Sequence, residues 1–260
     1  MSDLTVGLLQ STQFWEDKQA NFAHYETTFL THLSENQVDL LLFPEMFNTG
    51  FSMNATSLAE TMQGESIQWL TNWAKKLNCQ IGASLIIEEN NSFYNRLVIV
   101  SPKGPETWYN KRHLFRMASE NQHFTPGFER VIYELKGWKL MLQICYDLRF
   151  PVFSRNQTID NQKEYDALIY VANWPEKRSY VWKNLLQARA IENQTYCLGV
   201  NRVGSDANGN NYLGDTMVID PWGNIIKHQN TPSENLIITT LQRKVMDDIL
   251  INFPAFLDAD

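Results

Sequence analysis

Cysteine is scarce in this chain: Cys79, Cys145 and Cys197 are the three in 260 residues. An odd, widely spaced set builds neither a disulfide framework nor a CxxC metal or redox motif, and it suits a reducing compartment. Positive charge is also short, with 22 Lys and Arg against 29 Asp and Glu and a formal net charge of −7. Nucleic-acid binding needs a clustered basic face, so no such partner is expected. No apolar run approaches the roughly 18 residues that span a bilayer. The start, Met1 to Val6, lacks the basic and apolar regions of a signal peptide. A cytoplasmic protein without a membrane partner is expected.

Several motifs are missing as well. Without GxGxxG or GxxxxGK[ST] there is no dinucleotide or P-loop site, and without HxH, HExxH or CxxC spacing there is no zinc-hydrolase signature. GxSxG, the serine α/β-hydrolase mark, is absent too. No cofactor is expected.

What is present is a globular composition, 43% hydrophobic and 20% charged, rich in aromatics that mostly fill a core. No repeat or linker divides the chain, so residues 1–260 read as one domain. Apolar β-rich runs recur at 4–9, 39–43, 80–87, 94–100, 131–135, 139–144, 167–172, 196–201, 216–219 and 236–240. Helical spacing links Phe22, Tyr25, Phe29 and Leu33, then Ile67, Leu70, Trp73 and Leu77; a third helix runs over about 180–193. Strands alternating with helices, with meandering strands near 94–108 and 216–240, predict an α/β fold with a mixed sheet. Pro221-Trp222-Gly223-Asn224 reads as a turn between the last two strands.

Three polar residues stand at predicted strand ends, where a side chain is held rigidly yet can face a cleft. Glu45 follows Leu40 to Pro44, Cys145 follows Lys139 to Ile144, and Lys111 follows Trp108-Tyr109-Asn110. Singly, each has an ordinary explanation: a small buried thiol, a solvated acid, a paired amine. Together they make a chemical set, because a nearby ammonium favours the thiolate and a carboxylate can move the thiol proton.

The segments Leu41-Leu42-Phe43-Pro44-Glu45-Met46, Tyr109 to Phe115 and Gln143-Ile144-Cys145-Tyr146-Asp147-Leu148-Arg149-Phe150-Pro151 resemble the three signatures of the nitrilase superfamily of carbon–nitrogen hydrolases, in order and at similar separations. The resemblance extends through Gln187 to Asn193 and the turn at Asp220, so it spans essentially the whole chain. It implies a four-layer αββα sandwich. The Cys145 segment and the C-terminal Asn252 to Asp260 are most similar to the bacterial ω-amidase branch, which hydrolyses the terminal amide of 2-oxoglutaramate and 2-oxosuccinamate. By its distance to Pro126-Gly127, Glu120 matches the family's second active-site glutamate; its other reading is an exposed loop acid.

On this resemblance Glu45 is the general base, Cys145 the nucleophile that forms a thioester, Lys111 the cation that stabilises anion and oxyanion, and Glu120 the group that orients Lys111. The backbone N–H of Tyr146 is expected as a second oxyanion donor. Trp174 is expected to wall a pocket for a small-molecule amide, with core packing as its alternative. Arg149 is expected to brace the turn by pairing with Asp147, although it could instead meet a substrate carboxylate. Cys79 and Cys197 are expected to be buried and inert. The family implies a homodimer formed by the segment after Pro151 and the 180–193 helix, and a role in clearing the 2-oxo amide left by glutamine transamination. Competing readings are a Cys–His hydrolase using His113 or His123, another nitrilase-family amidase, a carbamoylase or a nitrilase, and a silent binding scaffold.

Overall fold

Runs that are apolar on both faces can only be central strands, and the computed structural model, which describes residues 2–258, places them there. The first half comprises β1 (Leu4–Gln10), α1 (Lys18–Thr28), β2 (Leu40–Leu42), α2 (Ala55–Leu58), α3 (Glu65–Leu77), β3 (Gln80–Glu89), β4 (Ser92–Ser101) and β5 (Gly104–Asn110). Next come α4 (Glu120–His123), β6 (Ile132–Leu135), β7 (Trp138–Ile144), α5 (Pro151–Ser154) and a hairpin of β8 (Thr158–Ile159) and β9 (Gln162–Lys163). β10 (Ala167–Ala172), α6 (Ser179–Asn193) and β11 (Tyr196–Asn201) precede a second hairpin, β12 (Val203–Ser205) and β13 (Asn211–Leu213). The last elements are β14 (Met217–Ile219), β15 (Ile225–His228), β16 (Asn235–Leu241) and α7 (Arg243–Asn252).

Two six-stranded sheets result, ordered β16-β1-β2-β3-β4-β5 and β15-β14-β11-β10-β7-β6. Each has three parallel central strands, β1-β2-β3 and β7-β10-β11, flanked by antiparallel ones. The inner faces share one core, in which Leu8, Leu42 and Leu97 of the first sheet join Leu142, Ile169 and Leu198 of the second. Phe22 and Tyr25 of α1 and Ile67 and Leu70 of α3 cover the outer face of the first sheet. Trp182, Leu186 and Ala190 of α6 pack on the second. The layers are therefore helix, sheet, sheet, helix, as the resemblance implied.

Two expectations need correction. α1 stops at Thr28, because Phe29 leaves the helical region at φ −129°, and a 3₁₀ turn over Leu30–His32 continues the burial as far as Leu30. The turn at Pro221 leads not to β16 but to β15, which pairs with β14, whereas β16 pairs with β1 in the other sheet. β15 lies at a sheet edge with Ile225 and Ile226 exposed, so no burial alternation marked it. Among the described residues, no helix is long and apolar enough to cross a membrane.

Candidate active site

In α/β sheets the carboxyl ends of parallel strands hold side chains over a crevice, and Glu45 lies just beyond the end of β2, while Cys145 and Asn173 directly follow β7 and β10. Extended Ile144 (φ −125°) is followed by Cys145 at φ 43°, in the left-handed region, and then by a 3₁₀ turn over Cys145–Arg149. A side chain in that conformation is strained and persists only where neighbours over-determine it. Asp147 is one such neighbour. Its Oδ2 accepts from the Ile144 N–H (2.9 Å) and the Tyr109 hydroxyl (2.8 Å), while Oδ1 accepts from the His113 N–H (2.9 Å) and Nδ1 (2.8 Å). The expected Arg149–Asp147 brace does not form, because both carboxylate oxygens are taken by these donors. Arg149 lies 5.2 Å from the centre of the Trp174 ring instead.

Glu45 is fully buried. Its Oε1 accepts from Lys111 Nζ (2.8 Å) and Asn95 Nδ2 (2.7 Å), and its Oε2 from the Asn173 N–H (2.9 Å). The Glu45 carbonyl accepts from Gln13 Nε2 and Asn173 Nδ2, both at 2.9 Å. The next residue, Met46, also has a positive φ, 44°, so acid and nucleophile each sit beside or in a strained turn. Lys111 follows β5 directly, and its Nζ reaches both oxygens of Glu120 at 3.0 Å. Glu120 is buried rather than the exposed loop acid of its other reading. It also accepts from Asn95 Nδ2 (3.2 Å) and the Phe115 N–H (2.6 Å), and with donors on every side it is a carboxylate. The Lys111–Glu120 loop returns through Gly127, whose N–H donates to the Lys111 carbonyl. A Cβ at Gly127 would meet the Asn110 carbonyl oxygen at 2.1 Å, so only glycine fits.

Burial works against every charge here, and the neighbours decide the outcome. Desolvation pulls the Lys111 ammonium down, but the Glu120 and Glu45 carboxylates outweigh it and hold its pKa above the ordinary value. Desolvation raises the Glu120 pKa, with Lys111 opposing. The Cys145 thiol is pushed well above its ordinary value by burial and then by the Glu45 charge, which together beat the attraction of Lys111. Two carboxylates against one ammonium leave the cluster already anionic, so a second negative charge on sulfur is disfavoured at rest. The Lys111 ammonium does favour the thiolate, as expected, but burial and the Glu45 charge outweigh it, so the Cys145 thiol keeps its proton until a base takes it.

Cys145, Lys111 and Asn173 open on a cavity of about 590 Å³, walled by Trp174, Tyr146 and Arg149 among others. Trp174 lies in the wall of the cavity and is also buried against Trp182, 5.4 Å between ring centres. Residues 5–249 match the carbon-nitrogen hydrolase family. The chain belongs to the carbon-nitrogen hydrolase family.

Relatives agree over nearly full length. An omega-amidase of Yersinia enterocolitica is 42% identical over 262 residues, covering 100% of this chain and 98% of that protein. A 2-oxoglutaramate amidase of Bacillus subtilis is 32% identical over 233 residues, 88% of each chain. The crystal structure of a carbon-nitrogen hydrolase superfamily protein from Xanthomonas campestris, with an arsenic adduct in its active site, superposes with a TM-score of 0.96 at 40% identity, covering 100% of this chain and 98% of that one.

Within this carbon-nitrogen hydrolase the other expected groups fall as follows. His113 binds Asp147 and borders a different surface pocket, and His123 is exposed, so neither stands at the Cys145 cavity as a base. Cys79 and Cys197 are buried. Asn95 and Asn173 hold the Glu45 carboxylate and were not anticipated. The signal existed in Asn95, a polar residue two positions ahead of the apolar run Leu97–Val100 within one strand, and in Asn173, which directly follows a wholly buried strand.

Proposed function

We propose that the chain is an ω-amidase, a single-domain enzyme that hydrolyses the terminal amide of 2-oxo dicarboxylic acid monoamides such as 2-oxoglutaramate and 2-oxosuccinamate. The observation that carries this reading is the full-length similarity to an omega-amidase. The gathering of Glu45, Lys111, Cys145 and Glu120 at one cavity supports it.

The neutral Cys145 thiol gives its proton to Glu45 as sulfur attacks the amide carbon. Lys111 Nζ and the Tyr146 N–H bind the oxyanion that develops, in a site where water is largely excluded. Glu45 returns the proton to the amide nitrogen, the C–N bond breaks, and ammonia leaves a thioester on Cys145. Glu45 then takes a proton from water, hydroxide adds to the thioester carbon, and the carboxylic acid departs as the thiol is re-formed. Glu120 fixes Lys111 and tempers its charge, acting through it rather than on substrate. Arg149 meets the substrate carboxylate.

We also assign a homodimer and a cytoplasmic location. Exposed Val152, Tyr180 and Ile191, on α5 and α6, support the first as an apolar face, and three unpaired cysteines support the second. Light scattering on the purified protein reads the assembly. Ammonia release from 2-oxoglutaramate, 2-oxosuccinamate, glutamine, asparagine, N-carbamoyl amino acids and simple nitriles tests the substrate. The 2-oxo amides should lead the panel, and absence of ammonia from them overturns the assignment. Cys145→Ala should fold and be inactive.

A further inference from the structure

Four carboxylates border or underlie the cavity: Glu45 and Glu120 below it, Glu16 and Asp206 in its wall. Glu16 is held by the Ser52 hydroxyl. Asp206 accepts from the Asn208 and Asn210 N–H groups, Asn210 Nδ2 and the Tyr212 hydroxyl, all within its own hairpin. These hydrogen bonds overcome the desolvation of Asp206 and hold its carboxyl below the usual range, so it is charged. A substrate bearing its own carboxylate therefore enters a site dominated by negative charge, and Lys111 is already committed to two acids.

Two further cations stand in the cavity wall, Arg149 and Arg178. Among the described residues neither guanidinium has a carboxylate partner. Both lie over aromatic rings instead, Arg149 at 5.2 Å from the Trp174 ring and Arg178 at 5.2 Å from the Phe115 ring. One residue ties them together: Trp174 carries the Arg149 guanidinium on its ring and donates its Nε1–H to the Arg178 carbonyl at 2.8 Å. Trp174 directly follows Asn173, whose N–H binds Glu45, so the Arg149 guanidinium and the Arg178 backbone are each tied to the reacting centre through one contact to Trp174, the peptide link to Asn173 and one hydrogen bond. A cation–π contact leaves the five N–H donors of a guanidinium available, and its planar fork matches a carboxylate in a way that an ammonium does not.

We propose that Arg178 is a specificity-determining residue, the second jaw of a carboxylate clamp with Arg149, and that it selects short ω-amides whose far end is a carboxylate over neutral amides of the same length. This rests on the ω-amidase reading above. Arg178 acts on binding and recognition; the bond-breaking steps belong to Glu45, Lys111 and Cys145.

The test compares 2-oxoglutaramate with 4-oxopentanamide, which has a methyl group in place of the carboxylate, using the wild-type enzyme, Arg178→Ala and Arg178→Lys. The ratio of kcat/KM for the two substrates should fall about 30-fold in Arg178→Ala, carried by KM, as expected for loss of a charge-assisted hydrogen bond. Arg178→Lys should keep part of the ratio, since it retains charge without the fork. A fold-level or positioning role would lower both substrates alike and leave the ratio unchanged, which overturns the proposal. Should Arg178→Ala fail to fold, the ratio in Arg178→Lys decides, supporting the clamp if it drops about threefold or more and refuting it if it does not. A wild-type enzyme that releases no ammonia from 2-oxoglutaramate overturns the ω-amidase reading itself, an outcome seen before any variant is made.

Discussion

The phenol of Tyr109 donates to the carboxylate of Asp147 at 2.8 Å, joining the strand that delivers Lys111 to the turn that delivers Cys145. With the His113 and Ile144 donors, this one carboxylate sets the spacing of cation and nucleophile. Asp147→Ala orphans four donors, and at roughly 1–3 kcal/mol for each that stays buried, stability should drop by about 3–5 kcal/mol. Urea unfolding measures this. A loss under 1 kcal/mol would mean that the turn is held elsewhere.

Glu45 raises the Cys145 pKa by its charge, and in the proposed mechanism it also accepts the thiol proton. Glu45→Gln should therefore move the thiol titration to lower pH and yet reduce kcat by about 10²–10⁴-fold, because the base is gone. Thiolate absorbance against a Cys145→Ala blank, with ammonia release alongside, reads both effects. A thiol pKa that rises in the variant contradicts the assigned electrostatics.

Among the charges that raise the Lys111 pKa, Glu120 comes first. Removing its charge in Glu120→Gln lowers that pKa, so an alkaline limb in the kcat profile should shift to lower pH, with kcat down by about 100-fold and KM little changed. Unchanged kcat would remove Glu120 from the mechanism.

Cys79 has its thiol pKa pushed from 9.0 up to about 12 by burial and, second, by Asp39. Since the folded value lies above the unfolded one, this contribution is complete below pH 9 and is lost as pH rises from there through about 12. Thermal unfolding should show the alkaline decline, and Cys79→Ala should make it shallower. Equal slopes in the two proteins would exclude Cys79 as its source.

The strands that pack on both faces were readable because burial left a continuous apolar mark, as in Ala167–Ala172. β15 left none, since Ile225 and Ile226 face solvent at an edge. Glu45, Lys111 and Cys145 could be picked out as strand-end residues whose chemistry made sense together. Arg149 was misjudged because sequence proximity suggests a partner, Asp147, whose oxygens are in fact occupied by Tyr109 and His113, brought in across 38 and 34 residues. Such long-range competition for a hydrogen bond has no local signature. Nor does the net sign of the shift at Cys145, which depends on how completely the fold removes water.

Glu45 leaves one sheet and Cys145 and Asn173 leave the other, so the catalytic geometry lies across the plane where the sheets meet. A folding intermediate with both sheets formed but not yet mated would have native secondary structure and no turnover. Recovery of ammonia release during refolding should consequently lag behind recovery of the far-ultraviolet circular dichroism signal. Enzymatic activity then becomes a clock for the final docking of the two halves.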